Sequence, residues 1–238
     1  MPPKPLKRFY TAAEAAAIAD GFAIRLDGKP VKTPGGRRLT LPTHALAAAV
    51  AAEWEAQAGT IAPSTMPLTQ LASTALDRVG PERPHITAEL LNYAGTDLLC
   101  YRAETPADLV ARQTAGWQPL LDWAALALDA PLLITTSLLA VEQPRPALAA
   151  LERAVDRLDP WRLTAVQSAT VAAGSLVLAL ALAAGRLDAA QTFELSQLDE
   201  TYQIELWGED WEAADRRAAL KADIAAAERL LALTAKVD

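Results

Sequence analysis

The 238-residue sequence is poor in the residues that carry most recognisable chemistry, with one cysteine, two histidines and only 5% aromatic side chains. A single thiol, Cys100, forms no internal disulfide, and with His44 and His85 it makes no Cys/His cluster able to hold a structural zinc. The chain therefore suits a reducing compartment. No GxGxxG or Walker loop, no GxSxG elbow and no HExxH pair occurs, which removes the common signatures of nucleotide, serine-hydrolase and zinc-protease sites. Long apolar runs are missing too. The most apolar stretch, TVAAGSLVLALALAAG from Thr170 to Gly185, is shorter than the roughly 20 residues that cross a bilayer, so no membrane insertion is expected. It reads as a central helix buried on all sides. The opening MPPKPLKRFY lacks the apolar core of a signal peptide, and the expected location is cytoplasmic.

What the sequence does contain is alanine, within a hydrophobic content of 52%. Alanine is a strong helix former with little side chain to bury, so closely packed helices are expected and disorder is not. A net charge of −7 and a pI of about 5.0 argue against nucleic acid as a partner. The sign is uneven. Residues 1–40 hold eight Lys or Arg against three acids, a balance of +5, which leaves −12 on the rest of a chain totalling −7. The basic part should meet its partners differently from the acidic part.

Regular β structure is expected early. GFAIRLDGKPVKTPGGRRLTLP reads as short strands Phe22 to Leu26, Pro30 to Thr33 and Arg38 to Leu41, joined at Asp27-Gly28 and Pro34-Gly35-Gly36. TPGGRR has glycines and cations but opens no helix, so it reads as a hairpin turn. A helix capped by Thr43, with Leu46, Val50 and Trp54 at four-residue spacing, should cover the ribbon. A second, from about Leu68 to Val79, should stop at Gly80-Pro81 and Pro84, and this segment marks the expected domain boundary. Beyond it the pattern predicts helices over 86–101, 106–128, 146–157, 160–184, 188–207 and 210–234. Pro131 to Pro144, with its β-branched centre, reads as a strand or an extended connection.

Candidate chemistry is sparse. His44 and His85 lie near helix starts, where surface imidazoles are commonplace, and Cys100 is flanked by apolar residues. Asp159 precedes Pro160 as a cap should, and Asp97 and Asp122 could answer buried arginines. The stretch LDETYQIELWGED is the exception. At 100° per residue, Leu195, Leu198, Tyr202 and Leu206 make a core stripe, while Phe193, Glu200, Ile204 and Trp207 fall near the opposite side. A second apolar face needs more protein of its own or a partner's surface. Glu200 at its middle would lose hydration unless a donor answers it, either Arg216 or Arg217 folding back, or a group on the partner.

Seven segments, LDGKPVKTPGGRRLTLP, EWEAQAGTIAPSTMPLTQLASTALD, TDLLCYRAETP, WQPLLDWA, LDPWRLTA, GSLVLALALAAG and LDETYQIELWG, resemble in order the assembly-factor family that chaperones the alpha subunit of the F-type ATP synthase catalytic head. The likeness runs from about Phe22 to about Leu231. It implies an α+β protein with a small β-containing N-terminal domain, residues 1–84, and a larger all-α helical bundle, residues 85–238. It also implies no catalysis, no cofactor, and an alpha-subunit client held until the beta subunit replaces the chaperone. An acidic residue in the family's motif matches Glu200, with Asp199 a near rival. With Phe193, Ile204 and Trp207 from the helical face, these make the expected client-binding set. Eukaryotic members carry a mitochondrial leader, and its absence here resembles a bacterial, cytoplasmic member. The competing expectation is an enzyme that sets Asp97 and Glu200, with Arg102 or Arg162, around a small polar substrate.

Overall fold

The computed structural model describes residues 6–137 and 139–235. They gather into two compact units. One contains 6–83, 160–164 and 229–235, and the other 84–159 and 165–228.

The first unit holds a four-stranded antiparallel sheet. Strand β2 (Gly21–Leu26) is central, with β1 (Ala13–Ile18) along one edge and both β3 (Lys29–Pro30) and β4 (Thr40–Leu41) along the other. Asp27 and Gly28 turn the β2–β3 hairpin at φ 47° and 80°, the positive angles that the Asp-Gly pair predicts. Strand β1 was not expected, because AEAAAI reads as helix by propensity. Its pairing along the whole length of β2 overrides that preference, as strand formation depends on cross-strand partners. The two later strands are shorter than expected, and an isolated bridge between Lys32 and Arg38 continues their pairing.

Helix α1 (His44–Glu55) lies against the sheet with Leu46 and Val50 fully buried, and Thr43 Oγ1 accepts from Leu46 N at 3.1 Å. Glu53 is buried as well. Its carboxylate accepts the Leu68 and Thr69 amides, both at 2.8 Å, and so caps α2 (Pro67–Thr74) from a neighbouring helix. Helix α2 does not stop at Gly80-Pro81. A π-turn over Ala75–Val79 leads directly into α3 (Gly80–Gly95), with Pro84 inside it. Pro81 follows Asp77 by four residues, so the wider turn gives its ring room against that carbonyl.

The second unit is helical, with α4 (Ala107–Leu128) and α5 (Arg145–Asp156) matching expectation to within a residue or two. The predicted 160–184 helix is two helices, α6 (Pro160–Ala173), whose residues 160–164 belong to the first unit, and α7 (Leu176–Ala183). Gly174 takes φ +68°, a left-handed conformation that ends a helix readily, and Ser175 caps the next one. Leu176 to Leu182 are all buried and form the core of this unit as expected, whereas Val171, earlier in the same apolar run, is 59% exposed, so that run is not buried on all sides. The 188–207 prediction also divides, into α8 (Ala189–Ser196) and α9 (Leu198–Trp207), before α10 (Trp211–Thr234). The described residues of 131–144 contain no strand beyond a single bridge from Thr135 to Tyr101, and Gln143 clamps the Leu133 backbone through both its N–H and its C=O. No described helix is long and apolar enough to cross a membrane. The sheet-plus-bundle composition is the α+β class predicted.

Candidate functional site

Helix α9 is fixed to α4 along one side. Gln113 Nε2 donates to Asp199 Oδ1 at 2.8 Å, the Tyr202 hydroxyl donates to the Asp108 carboxylate at 2.9 and 3.0 Å, and Arg112 pairs with Glu205 at 2.7 Å. Helix α4 meets the last turn of α9 through the Arg112–Glu205 pair, on the side away from solvent-facing Trp207. Leu206, assigned to the core stripe by periodicity, is instead 56% exposed.

The break at Gln197, with φ −110° and ψ 19°, shifts the phase between α8 and α9. Phe193 and Glu200 meet different cations of α10. The Phe193 ring lies beneath two cations of α10, with the Arg217 guanidinium 5.4 Å and Lys221 Nζ 5.7 Å from its centroid. Arg217 also reaches Glu209 at 3.2 Å and Thr201 Oγ1 at 3.1 Å, so it joins α8, α9 and α10. Only its several oxygen partners and its ring contact reveal that role, and single-helix spacing carries no sign of it.

Glu200 meets Arg216, one of the two arginines expected, but loosely. The contact is 3.7 Å, with the glutamate side chain one-third exposed and the arginine two-thirds exposed. The expectation of a dehydrated carboxylate is thus corrected: Glu200 edges a shallow cavity of about 340 Å³ with Asp210, Glu212, Ala213 and Arg216. Ile204 is half-buried, while Trp207 and Trp211 are 77% and 72% exposed. From Leu198 to Glu212 there are six acids and no Lys or Arg. Two indoles and a leucine therefore project beside these acids at the junction of α9 and α10, where Glu200, Glu205 and Glu209 are met by Arg216, Arg112 and Arg217.

The residues of the competing enzyme reading lie in different settings. Asp97 is fully buried and answered not by an arginine but by the Ser175 hydroxyl at 2.7 Å and the Leu99 and Val177 amides at 3.1 Å. Asp122, likewise expected beside an arginine, accepts from Gln118 at 2.8 Å on the surface. Arg102 donates to the Leu99 and Gln113 carbonyls and stacks over Trp117. Arg162 belongs to the other compact unit. Cys100 is buried, and desolvation pushes its thiol up to about 12, far from a reactive thiolate. His44 packs on the Phe22 ring, and His85 sits exposed beside Glu89.

Burial raises Asp97 from its ordinary 3.8 to about 6, against the lowering effect of its hydrogen bonds. Folding therefore favours the protonated carboxyl. This contribution is fully present below pH 4 and is lost as pH rises through 6, by about 3 kcal/mol in all. Asp97→Asn should remove it, so the stability of that variant relative to wild type should rise from pH 4 to 7. Urea melts across that range test this, and a difference independent of pH would refute it.

Residues 7–125 match the family model described as ATP12 chaperone protein. Among solved structures, Atp12 from Paracoccus denitrificans is 43% identical with a TM-score of 0.90, over 97% of this chain and 99% of that one. The Atu1473 protein of Agrobacterium tumefaciens is 40% identical with a TM-score of 0.90, over 95% of this chain and 85% of its own. Protein atp12, mitochondrial, of Schizosaccharomyces pombe is 26% identical over 219 residues, 87% of this chain and 75% of that protein. With half its length matched by the family model and a 43% identical relative aligned almost end to end, this chain belongs to the ATP12 chaperone family.

Proposed function

We infer that this chain is an ATP-independent, cytoplasmic assembly chaperone, not an enzyme, that holds the unassembled alpha subunit of F-type ATP synthase until the beta subunit takes its place. The observation that carries the reading is the exposed Leu206, Trp207 and Trp211 among six acids at the α9–α10 junction. Large apolar groups clustered on a charged surface suit a partner that brings its own apolar patch with a cationic rim. Glu200 and Trp207 are the residues assigned to that contact, with Ile204 beneath them. Asp199, already bonded to Gln113, orients the helix, and Phe193 supports it from α8.

Co-expression of the tagged chain with the alpha subunit should retain alpha, and adding beta should release it. Failure to retain alpha, or retention unaffected by beta, would overturn the reading. Glu200→Gln should weaken alpha binding by about 1.5–3 kcal/mol through loss of a charge-assisted bond. The free protein should lose no more than about 1 kcal/mol, because the Arg216 contact is long and solvated. Denaturant melts read beside the alpha-capture assay check both halves. A loss of about 3–5 kcal/mol from the free variant would mark Glu200 as part of a buried pair instead.

A further inference from the structure

The N-terminal unit carries a groove that the α9 surface leaves unused. It has a volume of about 660 Å³ and runs between the Val31–Gly35 turn segment and α2 with its π-turn, over an apolar floor that includes Val31, Leu39, Ile61 and Met66. Its walls are held in place. Asp77, on the π-turn, accepts from Thr33 Oγ1 and from Gly35 N, both at 2.7 Å, across the groove's end. Gly35 comes so close that an added Cβ would lie 2.7 Å from that carboxylate, so only glycine lets the turn seat there. Arg37 completes the latch, donating to the Leu76 carbonyl and standing 3.9 Å from Asp77. A π-turn is an uncommon feature that recurs at functional sites, and a groove pinned open loses little entropy on binding.

The charge at this groove is opposite to that of the α9–α10 junction. Lys32 and Arg78 line it, and Arg37 and Arg38 stand exposed on the adjoining turn. Asp77 is engaged by the turn and stands 3.9 Å from Arg37, and Glu82 pairs with Arg78 at 2.9 Å, so the excess positive charge rests on Lys32 and Arg38. This is the TPGGRR segment and the +5 region of the sequence, which the acidic surface does not explain.

We propose that the groove is a second client-docking site, which takes an extended segment of the unassembled partner carrying aliphatic side chains flanked by Asp or Glu. The proposal rests on the chaperone reading above. Aliphatic groups fill the floor, and the acids meet the Lys32 side, so the protein grips its client through two surfaces of opposite sign.

The test uses the full chain and a short dye-labelled peptide of Leu, Val and Glu, followed by fluorescence anisotropy, with the same peptide carrying Lys for Glu as its control. The Glu peptide should bind about tenfold more tightly than the Lys peptide, with the gap closing at high salt. Lys32→Glu, at an exposed position, should cost the Glu peptide about fivefold. Ser73→Trp should fill the groove and abolish binding. If that variant fails to fold by circular dichroism, Lys32→Glu alone decides. Equal binding of the two peptides, or affinity unmoved by Lys32→Glu, overturns the proposal. So does dodecanoate binding, followed by calorimetry, where neither peptide binds, which makes the occupant a small amphiphile. Self-association that Lys32→Glu abolishes in sedimentation makes it a second copy and overturns it equally. Alpha capture and its response to Glu200→Gln are separate readouts, so a failed groove leaves the proposed function standing and a failed capture does not.

Discussion

Ser175→Arg should cost the folded protein about 4–6 kcal/mol, a large part of the stability of a typical domain. Ser175 is fully buried and serves two partners. Its Oγ donates to the Asp97 carboxylate at 2.7 Å and accepts from Leu178 N at 3.0 Å, which caps α7. Losing the cap costs about 1 kcal/mol, and stripping a donor from a buried carboxylate costs about 1–3 kcal/mol more. A guanidinium would find a charge partner in Asp97, so the burden lies less in an unpaired cation than in its volume, beside a helix buried from Leu176 to Leu182. Ser175→Ala separates the two effects, because it deletes both hydrogen bonds without adding bulk and should cost about 2–4 kcal/mol. Denaturant midpoints of the two variants check the ordering. An arginine variant that melts with wild type would show that the α7 N-terminus is not closed.

Trp207→Ala should weaken alpha-subunit binding by about 2–4 kcal/mol, roughly thirty- to a thousandfold, while leaving the stability of the free protein within about 0.5 kcal/mol. The indole is 77% exposed, so the free protein gains little from it. A partner that covers it would bury a large apolar body for which few rotamers must be frozen. Trp211 stands one turn of chain away on the other side of Gly208, at 72% exposure. The double variant would lose less than the sum if one client patch covers both indoles. Titration of labelled alpha subunit gives the affinity, and thermal melts give the stability. Unchanged affinity in the single and double variants would remove the α9–α10 junction from the proposed interface.

The reach of the sequence varied with the range of the interaction that decides each feature. Hairpin grammar at Asp27-Gly28, the Thr43 cap, the Leu46–Val50 stripe and the uniformly apolar α7 were all legible, because each rests on propensity or periodicity within a few residues. The exposed Trp207 and the acidic character around it were legible for the same reason. Strand β1 was not, since AEAAAI becomes a strand only by pairing with β2. Passage of the helix through Pro81 needed a π-turn, which leaves no mark in composition. The breaks at Gly174 and Gln197 divided helices that periodicity runs together, because one irregular residue resets the phase of everything after it. Contacts made across the fold lay beyond sequence altogether: Glu53 capping α2, Ser175 answering Asp97, and Arg112 of α4 holding Glu205 while Leu206 beside it stays exposed. Local chemistry thus determined which elements form and which surface is acidic and aromatic. Tertiary packing decided which carboxylate is spent inside the protein and which faces outward, because a partner distant in the chain can satisfy a charge as well as a near one.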